Sequence, residues 1–345
     1  MSKVLCFGEL LLRLSPQLGG EWIKSATMPV FIGGAELNVA TALARWNVPA
    51  AYCTALPDNY LSREICSYLA QKGIDTSRVP FAGNRIGTYY LPQGADLKSA
   101  GVIYDRAYSA FWELKPGQID WDVVLQDVSW FHFSAISPAL NASVAAVCLE
   151  GAKAAAKKGI TVSVDLNYRA KLWQWGKKPL EVMPALATEC DVIMGNIWAA
   201  NTMLRTPVDE AIHENRSREK YLAHAHITSK EIGERFSKCK AVANTFRFDR
   251  GEGLEYYTTL FTKGEQFLSP VYNCQQVVDR AGSGDCFMAG LIYGMYNHLS
   301  PQETVDFATA AAFGKLQETG DATNQDITTV YQNMRKDTVQ ADAGT

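Results

Sequence analysis

The 345-residue sequence contains no apolar run approaching the roughly 20 residues that a membrane-spanning helix needs. Its first apolar stretch, residues 4–7, is too short for a signal peptide, so we expect a buried strand there. A large excess of one charge is also missing, because 33 Lys and Arg residues oppose 36 Asp and Glu residues. This balance is not typical of nucleic-acid-binding proteins. We expect a cytoplasmic protein that contacts neither nucleic acid nor a membrane.

Paired cysteine motifs are lacking as well. The eight cysteines are irregularly spaced and form no C-x-x-C pair, and the five histidines show no metal-ligand spacing. We therefore expect reduced thiols rather than a disulfide scaffold or a zinc site. Apolar residues make up 47% of the chain, enough for a sizeable core. A chain of this length forms either two domains or one large α/β domain.

Short β-type runs alternate with helical patterns along most of the chain. Strands are expected at residues 4–7, 51–55, 128–133, 161–165 and 192–195, and helices at residues 35–46, 61–72, 143–158 and 184–188. This alternation predicts an α/β protein with a parallel sheet covered by helices on both faces.

Residues 85–106 break the alternation. Two β-type runs, 86–91 and 102–106, flank Gly94-Ala95-Asp96, which has turn chemistry. The segment predicts an antiparallel flap on a parallel body. Alternate residues of a strand share a face, so Tyr104 and Arg106 should project together. The exposed edge of such a flap suits pairing with a second copy of the chain, which predicts a homo-oligomer.

The most informative stretch is an apolar run that enters Gly282-Ser283-Gly284-Asp285 and then a helical pattern. A strand, a glycine turn and a helix start would aim backbone N–H groups at an anion. A carboxylate beside an anion site makes sense if Asp285 accepts the proton of a hydroxyl that attacks phosphorus. The alternative is that Asp285 only caps the helix and that the glycines only form a tight turn.

Two signatures resemble the ribokinase-like (PfkB) family of carbohydrate kinases. One is Asp279 with Gly282-Ser283-Gly284-Asp285, in which Ser283 replaces the usual Ala, and the other is Gly33-Gly34 followed by Asn38-Val39-Ala40. The resemblance covers nearly the whole chain. It implies a single domain, 1–345, with a ribokinase-like three-layer sandwich, a mostly parallel central sheet and a small β-sheet lid at about residues 10–32 and 85–112. It also implies ATP and Mg²⁺ as cofactors, with Asp285 as the general base.

Within that family the sequence is similar to the 2-keto-3-deoxygluconate kinases, for example at Tyr104-Asp105-Arg106 and at Asp165-Leu166-Asn167-Tyr168-Arg169. The similarity implies ATP-dependent phosphorylation of the terminal hydroxyl of that sugar acid, giving the 6-phosphate. The implied catalytic residues are Asp285, Gly282, Ser283 and Gly284. The implied substrate contacts are Gly34, Asn38, Tyr90, Tyr104, Arg106, Arg169 and Asp321.

Two arginines favour an acidic sugar, because a guanidinium can clamp a carboxylate with two hydrogen bonds. Arg169 follows the strand at 161–165, at the sheet edge where α/β proteins bind ligands. Arg13 adds slight support. A surface salt bridge for Arg106 and a helix-start ion pair for Arg169 are the alternatives. Tyr89 and Tyr90 should face opposite ways, and the family pattern favours Tyr90 as the contact.

The nucleotide contacts implied by the resemblance are Asn196, Thr245, Arg247, Gly282 and Gly284. Asn196 begins an Asn-x-x-Glu motif that the family places near the metal, but Ala199 stands where the Glu is usual, so the metal ligands stay unassigned. Residues 308–315 resemble a helix that flanks the adenine.

Two other functions remain open at this point. A kinase for a neutral ketose such as fructose would need no carboxylate clamp. A sugar-binding sensor without catalysis would accommodate the missing Glu at position 199. A dinucleotide-dependent oxidoreductase is disfavoured, because no G-x-G-x-x-G turn follows the first strand.

Overall fold

A computed structural model describes residues 2–92, 101–212, 217–251 and 253–342, with side chains as far as residue 335. The turn expected at Gly94-Ala95-Asp96 lies outside the described residues. The described strands are β1 (Lys3–Phe7), β2 (Leu11–Leu14), β3 (Val30–Gly33), β4 (Ala50–Cys53), β5 (Ile74–Asp75), β6 (Gly87–Tyr90), β7 (Ile103–Asp105), β8 (Val128–Ser134), β9 (Thr161–Asp165), β10 (Val192–Gly195), β11 (Ala241–Arg250), β12 (Gly253–Thr262), β13 (Glu265–Leu268) and β14 (Tyr272–Cys274).

The described helices are α1 (Glu21–Ser25), α2 (Ala35–Arg45), α3 (Tyr60–Gln71), α4 (Trp121–Val124), α5 (Ala142–Lys157), α6 (Pro179–Ala187), α7 (Ile197–Leu204), α8 (Arg218–Arg235), α9 (Ser283–Tyr296), α10 (Pro301–Lys315) and α11 (Ile327–Asp342). The helix expected at residues 184–188 begins earlier, at Pro179, where a proline suits the first helical turn. None of the helices in the described ranges is long and apolar enough to cross a membrane.

The large sheet has the strand order β13-β12-β11-β10-β9-β8-β1-β4-β5, and β14 pairs with β12. Neighbours from β11 to β5 run parallel, whereas β12 is antiparallel to β11 and β13 to β12. The prediction of a mostly parallel α/β sheet is confirmed. Thr245 and Arg247 lie inside the long strand β11, opposite Thr258 and Tyr256 of β12, rather than at a strand end.

Both faces of the large sheet are covered, and β1 shows why. Val4 and Cys6 belong to the core under α2, α9 and α10, and Leu5 and Phe7 belong to the core under α4 and α5. A strand buried on both faces needs apolar residues at consecutive positions, and residues 4–7 provide them. The result is the expected three-layer arrangement of helices, sheet and helices.

The small sheet has the order β3-β2-β6-β7. Strand β2 pairs antiparallel with β3 and parallel with β6, and β6 pairs antiparallel with β7, as expected for the flap. Side chains in register across the four strands form two rows on opposite faces. The row that faces the large sheet is Phe31, Arg13, Tyr89 and Tyr104, and the row that faces outward is Val30, Leu14, Tyr90 and Ile103.

Candidate active site

A cleft of about 920 Å³ lies between the inner face of the small sheet and the carboxyl ends of the parallel strands. Open α/β sheets bind ligands at this edge because the loops there are free to diverge. The cleft is also lined by the first turns of α2 and α9. Most of the site residues expected from the sequence meet in it: Gly34, Asn38, Tyr104, Arg106, Arg169, Asn196, Thr245, Arg247, Gly282, Ser283, Gly284, Asp285 and Asp321.

The turn before α9 has the geometry of an anion-binding site. Gly282 caps the helix with φ +76°, and a Cβ at this position would lie 1.7 Å from the carbonyl oxygen of Asp321. Only glycine fits both the conformation and the space. A Cβ at Gly284 would meet open space, so the cleft leaves room for a ligand against the backbone. The Ser283 hydroxyl donates to the carbonyl oxygen of Arg280 (3.3 Å), within the turn itself.

Asp285 occupies the first turn of α9 and is buried at the floor of the cleft. Burial raises its pKa to about 6, while a hydrogen bond from the Asn38 side chain (2.7 Å) and the charge of Arg169 act in the opposite direction. A carboxylate with this pKa is mostly ionised at neutral pH and is more basic than an exposed one. It can therefore accept a proton from a bound hydroxyl.

Two further buried carboxylates lie near Asp285. Burial raises the pKa of Glu36 and that of Asp165 to about 7, and the charge of Asp285 adds to both shifts. The backbone N–H and the hydroxyl of Ser134 donate to Glu36 at 2.8 and 2.7 Å. Sequence reasoning assigned no role to Glu36. Its one signal is a charged residue in the first turn of an otherwise apolar helix.

Arg106 lines the cleft, but an acid already neutralises it. Its Nε and Nη2 atoms lie 2.6 and 2.5 Å from Oε2 of Glu9, and the Ser109 hydroxyl donates to the other carboxylate oxygen. Arg106 and Glu9 are both at least 95% buried. The alternative of a salt bridge with another acid therefore holds for Arg106, inside the cleft rather than on the surface. Sequence reasoning did not assign Glu9 to the site.

Arg169 differs from Arg106 in this respect. Among the residues that the structure describes, its guanidinium donates one hydrogen bond, to the carbonyl oxygen of Tyr168 (3.0 Å), and no carboxylate lies within 4 Å of it. The helix-start ion pair considered as an alternative is not formed. The loop is held by Asp165, which accepts the N–H of Asn167 (2.9 Å). Arg169 thus presents a cation to the cleft without a direct counter-ion.

The prediction that Tyr90 contacts the substrate is corrected by the register of the small sheet. Tyr89 faces the cleft beside Tyr104, with ring centroids 6.3 Å apart, whereas Tyr90 lies on the outer face and is 36% exposed. Side chains alternate along a strand, so only one of the two can face inward. The pairing of β6 with β2 decides which one does.

Arg13, which the sequence offered as further support for binding an acidic sugar, does not lie in the cleft. It lies under the small sheet, 2% exposed, with Asp279 and Asp321 as its partners, and does not line the cleft. Asp321 does line the cleft, where its Oδ2 atom accepts the Tyr89 hydroxyl (2.8 Å). Gly34, at φ +138°, brings its backbone against the carbonyl oxygen of Glu9.

The expected nucleotide contacts lie together along the other half of the cleft. Asn196 caps α7 by accepting the N–H of Ala199 (2.9 Å), and Thr245 and Arg247 project into the cleft from β11. Residues 308–315 of α10, expected beside the adenine, do not line it: they pack mainly into the core. Within the described ranges, no group of three Asp, Glu, His or Cys residues has the arrangement of a metal centre.

Comparison with known proteins agrees with this architecture. A model of the pfkB family of carbohydrate kinases matches residues 1–328. The crystal structure of a 2-dehydro-3-deoxygluconokinase from Thermotoga maritima is 33% identical, with a TM-score of 0.86 over 97% of this chain and 99% of that one. The structure of a PfkB family carbohydrate kinase from Listeria grayi is 30% identical, with a TM-score of 0.82 over 96% of this chain and 99% of the other.

A relative from Haloferax volcanii, a 2-dehydro-3-deoxygalactonokinase, is 35% identical over 172 residues, which are 50% of this chain and 54% of the relative. The alignment thus spans about half of each protein. The family model, by contrast, matches residues 1–328, which is most of the chain. This match, together with the glycine turn and Asp285 at the floor of the cleft, shows that the chain belongs to the pfkB family of carbohydrate kinases. These enzymes are phosphotransferases whose acceptor is an alcohol group.

Proposed function

We propose that the protein is an ATP-dependent sugar-acid kinase that phosphorylates the terminal hydroxyl of 2-keto-3-deoxygluconate, also called 2-dehydro-3-deoxygluconate, to give the 6-phosphate. The observation that carries the proposal is Arg169, a cleft cation that has no direct carboxylate partner among the described residues. A bound carboxylate would supply that partner, whereas a neutral ketose would not. The names of the Thermotoga and Haloferax relatives refer to substrates of this chemical class.

The reaction follows from the position of Asp285. Its carboxylate accepts the proton of the sugar hydroxyl as the hydroxyl oxygen attacks the γ-phosphorus of ATP. A bond forms between that oxygen and phosphorus, and the bond between phosphorus and the oxygen that leaves with ADP breaks. The N–H groups of residues 282–285 stabilise negative charge on the phosphoryl group in transfer. Asp285 then releases its proton to solvent.

The sugar acid would extend from Asp285 toward the small sheet. Asn38 holds Asp285, so it lies at the hydroxyl end of the substrate. Tyr104, Arg106 and Arg169 would surround the carboxylate end. Glu9 fixes the side chain of Arg106 in the wall of the cleft before substrate arrives. Such preorganisation lowers the entropic cost of binding.

ATP would occupy the half of the cleft bounded by Asn196, Thr245 and Arg247. Mg²⁺ suits this region, because the buried carboxylate residue Asp165 and Asn196, whose Oδ1 also caps α7, both line the cleft, and burial with nearby negative charge raises the pKa of Asp165 to about 7. A cation would relieve that accumulation of charge. Mg²⁺ commonly uses one or two protein oxygens together with phosphate and water. When bound, it neutralises the β- and γ-phosphates.

The proposal is tested with the wild-type protein, ATP, Mg²⁺ and a panel of 2-keto-3-deoxygluconate, its C4 epimer, gluconate, fructose and ribose. ADP release is followed by a coupled assay, and the Asp285→Asn variant measures contaminating kinase activity. We expect the highest kcat/KM for a 2-keto-3-deoxy sugar acid. A higher kcat/KM for fructose than for any acid would show a neutral-sugar kinase, and the proposed substrate class would then be wrong.

We also propose that the protein forms a homo-oligomer through the outer face of the small sheet. Val30, Tyr90 and Ile103 are 54%, 36% and 63% exposed, and they lie in one row with Leu14. An apolar row of this kind on a sheet face is typical of a surface that packs against another surface. A second copy presents the same row, so the two faces are complementary.

A further inference from the structure

The guanidinium of Arg13 joins the small sheet to the turn before α9. Its Nη2 atom lies 3.0 Å from Oδ2 of Asp279, and its Nε atom lies 2.7 Å from Oδ1 of Asp321. All three side chains are more than 90% buried. Phe31, which is opposite Arg13 in the small sheet, covers the guanidinium with its ring centroid 4.4 Å from Cζ. Water therefore does not weaken these contacts as it weakens surface ion pairs.

The two acids also contact the backbone of the anion-binding turn. Asp279 accepts the N–H of Ala281 at Oδ1 (3.0 Å) and the N–H of Gly320 at Oδ2 (3.2 Å). The carbonyl oxygen of Asp321 packs against Gly282 so closely that no side chain fits between them. Asp279 and Asp321 thus each contact Arg13. Each also contacts the backbone of the turn before α9, and Asp279 contacts the neighbouring loop at Gly320 as well.

The small sheet contributes two further contacts to the same acids. The Tyr89 hydroxyl donates to Oδ2 of Asp321 (2.8 Å). A Cβ at Gly33 would lie 2.1 Å from that oxygen, so Gly33 lets strand β3 approach Asp321. Three residues of the small sheet, Gly33, Tyr89 and Arg13, therefore pack against Asp321, and Arg13 is the cation that pairs with both acids.

We propose that Arg13 is a positioning residue for phosphoryl transfer, which fixes the backbone of residues 281–284 against the small sheet that carries Tyr104 and Arg106. The inference deepens the proposed function and rests on it, because the turn is the part assigned to the transferring phosphoryl group. Arg13 does not line the cleft, so it acts through Asp279 and Asp321 rather than by touching a substrate.

The kinetic consequence follows from what the turn does. Amide donors stabilise the transition state only when they point at the position where charge develops, and a displacement of about 1 Å can lower the rate by as much as 100-fold. Among the described residues, no hydrogen bond or ion pair joins Arg13 to Arg106, Arg169 or the nucleotide half of the cleft, although Arg13 does pair with Asp321, which also lines the cleft. Loss of Arg13 should therefore lower kcat more than it changes either KM.

The test compares Arg13→Gln and Arg13→Lys with the wild type, using whichever sugar of the panel the wild type phosphorylates best. Arg63→Gln is the control, because Arg63 forms an exposed ion pair with Asp58 and lies on α3 away from the cleft. Hydrogen–deuterium exchange of residues 279–286 and 318–322 is measured in parallel, without sugar or nucleotide. This second measurement does not depend on the identity of the substrate.

For Arg13→Gln we expect kcat to fall at least about tenfold with both KM values within threefold of wild type, and faster exchange confined to those two segments. Arg13→Lys, which retains the charge without the two-pronged geometry, should recover part of kcat. Arg63→Gln should match the wild type. A raised KM for the sugar with unchanged kcat would instead make Arg13 a substrate-binding group and overturn the inference.

Removal of a buried cation leaves two buried carboxylates unpaired, and Arg13→Gln can fail to fold for that reason. In that event Arg13→Lys carries the test: slower turnover with local exchange supports the inference, and wild-type values for both overturn it. If the wild type phosphorylates no sugar of the panel, the proposed function fails. The exchange of residues 279–286 then still shows whether Arg13 holds the turn, and unchanged exchange would reject that role.

Discussion

The side-chain amide of Asn38 donates a hydrogen bond of 2.7 Å to Oδ2 of Asp285, which joins the first turns of two helices that are 247 residues apart in the sequence. This bond favours the ionised carboxylate and opposes the effect of burial. The charges of Arg169 and Lys315 also lower the pKa of Asp285, whereas that of Asp321 raises it. The base is thus kept ionised near neutral pH by a small number of named contacts.

Replacement of Asn38 by Ala should move the acid limb of the pH profile of kcat/KM to higher pH. The ionised carboxylate loses a donor, so its pKa rises above the value of about 6. A hydrogen bond to a charged group contributes about 1.5–3 kcal/mol, and the limb should therefore move by about one to two units. Steady-state rates between pH 5 and 8 measure the shift. A limb that stays in place would show that Asn38 does not tune Asp285.

Replacement of Asp285 by Asn should lower kcat by about 10³-fold, within the range for loss of a general base. The amide has nearly the same shape as the carboxylate, so the fold and substrate binding should persist. Circular dichroism and binding of a non-hydrolysable ATP analogue check those two points. Turnover within tenfold of wild type would mean that another group accepts the proton.

The sequence predicts the part of the site that is local. The glycine turn and the helix follow from residues 282–285, but the strand expected before them is not formed: residues 275–282 lie in no strand, and β14 ends at Cys274. Alternation predicts that Tyr104 and Arg106 project together, and both line the cleft, although β7 ends at Asp105. The alternating pattern of the central sheet is local in the same sense. Each of these inferences needs only neighbouring residues and the geometry of one element.

What sequence reasoning missed depends on pairing between distant segments. Tyr89 rather than Tyr90 faces the cleft because β6 pairs with β2, a register that neither strand encodes alone. Arg13 pairs with Asp279, which is 266 residues away in the sequence, and Glu9 pairs with Arg106, which is 97 residues away. A charged residue within an apolar stretch indicates that the folded protein supplies an oppositely charged or hydrogen-bonding partner for it. Which partners they are is decided by the assembled fold.

Replacement of Arg169 by Gln should raise the KM for the sugar acid about tenfold to 100-fold, since a charge-assisted hydrogen bond is lost. The KM for fructose, if fructose is turned over at all, should change little, because it has no carboxylate. The comparison of the two substrates on one variant separates loss of the clamp from general damage to the cleft. An equal rise for both sugars would contradict the assignment of Arg169 to the carboxylate.

Replacement of both Val30 and Ile103 by Glu should dissociate the proposed oligomer, because four or more charges would be buried where two copies meet. Size-exclusion chromatography with light scattering should give a multiple of 38.0 kDa for the wild type and 38.0 kDa for the variant. Val123→Glu, at a 58% exposed position on α4, is the matched control. A wild type of 38.0 kDa at micromolar concentration would reject the oligomer.

The Asp285→Asn variant should be more thermally stable than the wild type at pH 8, although it is nearly inactive. The pKa of an unfolded aspartate is about 4, whereas burial raises that of folded Asp285 to about 6. The folded state therefore binds the proton more tightly, and wild-type stability falls as pH rises from about 4 to about 6. Above that window the wild type carries the full cost of an ionised buried carboxylate.

That cost is on the order of 3 kcal/mol, and Asn does not incur it at any pH. Melting temperatures by scanning fluorimetry should thus differ by several degrees at pH 8, and the difference should shrink toward pH 4.5. Ionisable groups remote from the cleft affect both proteins alike, whereas Glu36 and Asp165, whose pKa values the charge of Asp285 raises, are relieved in the variant and add to the difference in the same direction. A difference that grows as the pH falls would mean that Asp285 is stabilised in its ionised form by the fold, and its suitability as a base near neutral pH would then have to come from bound substrate instead.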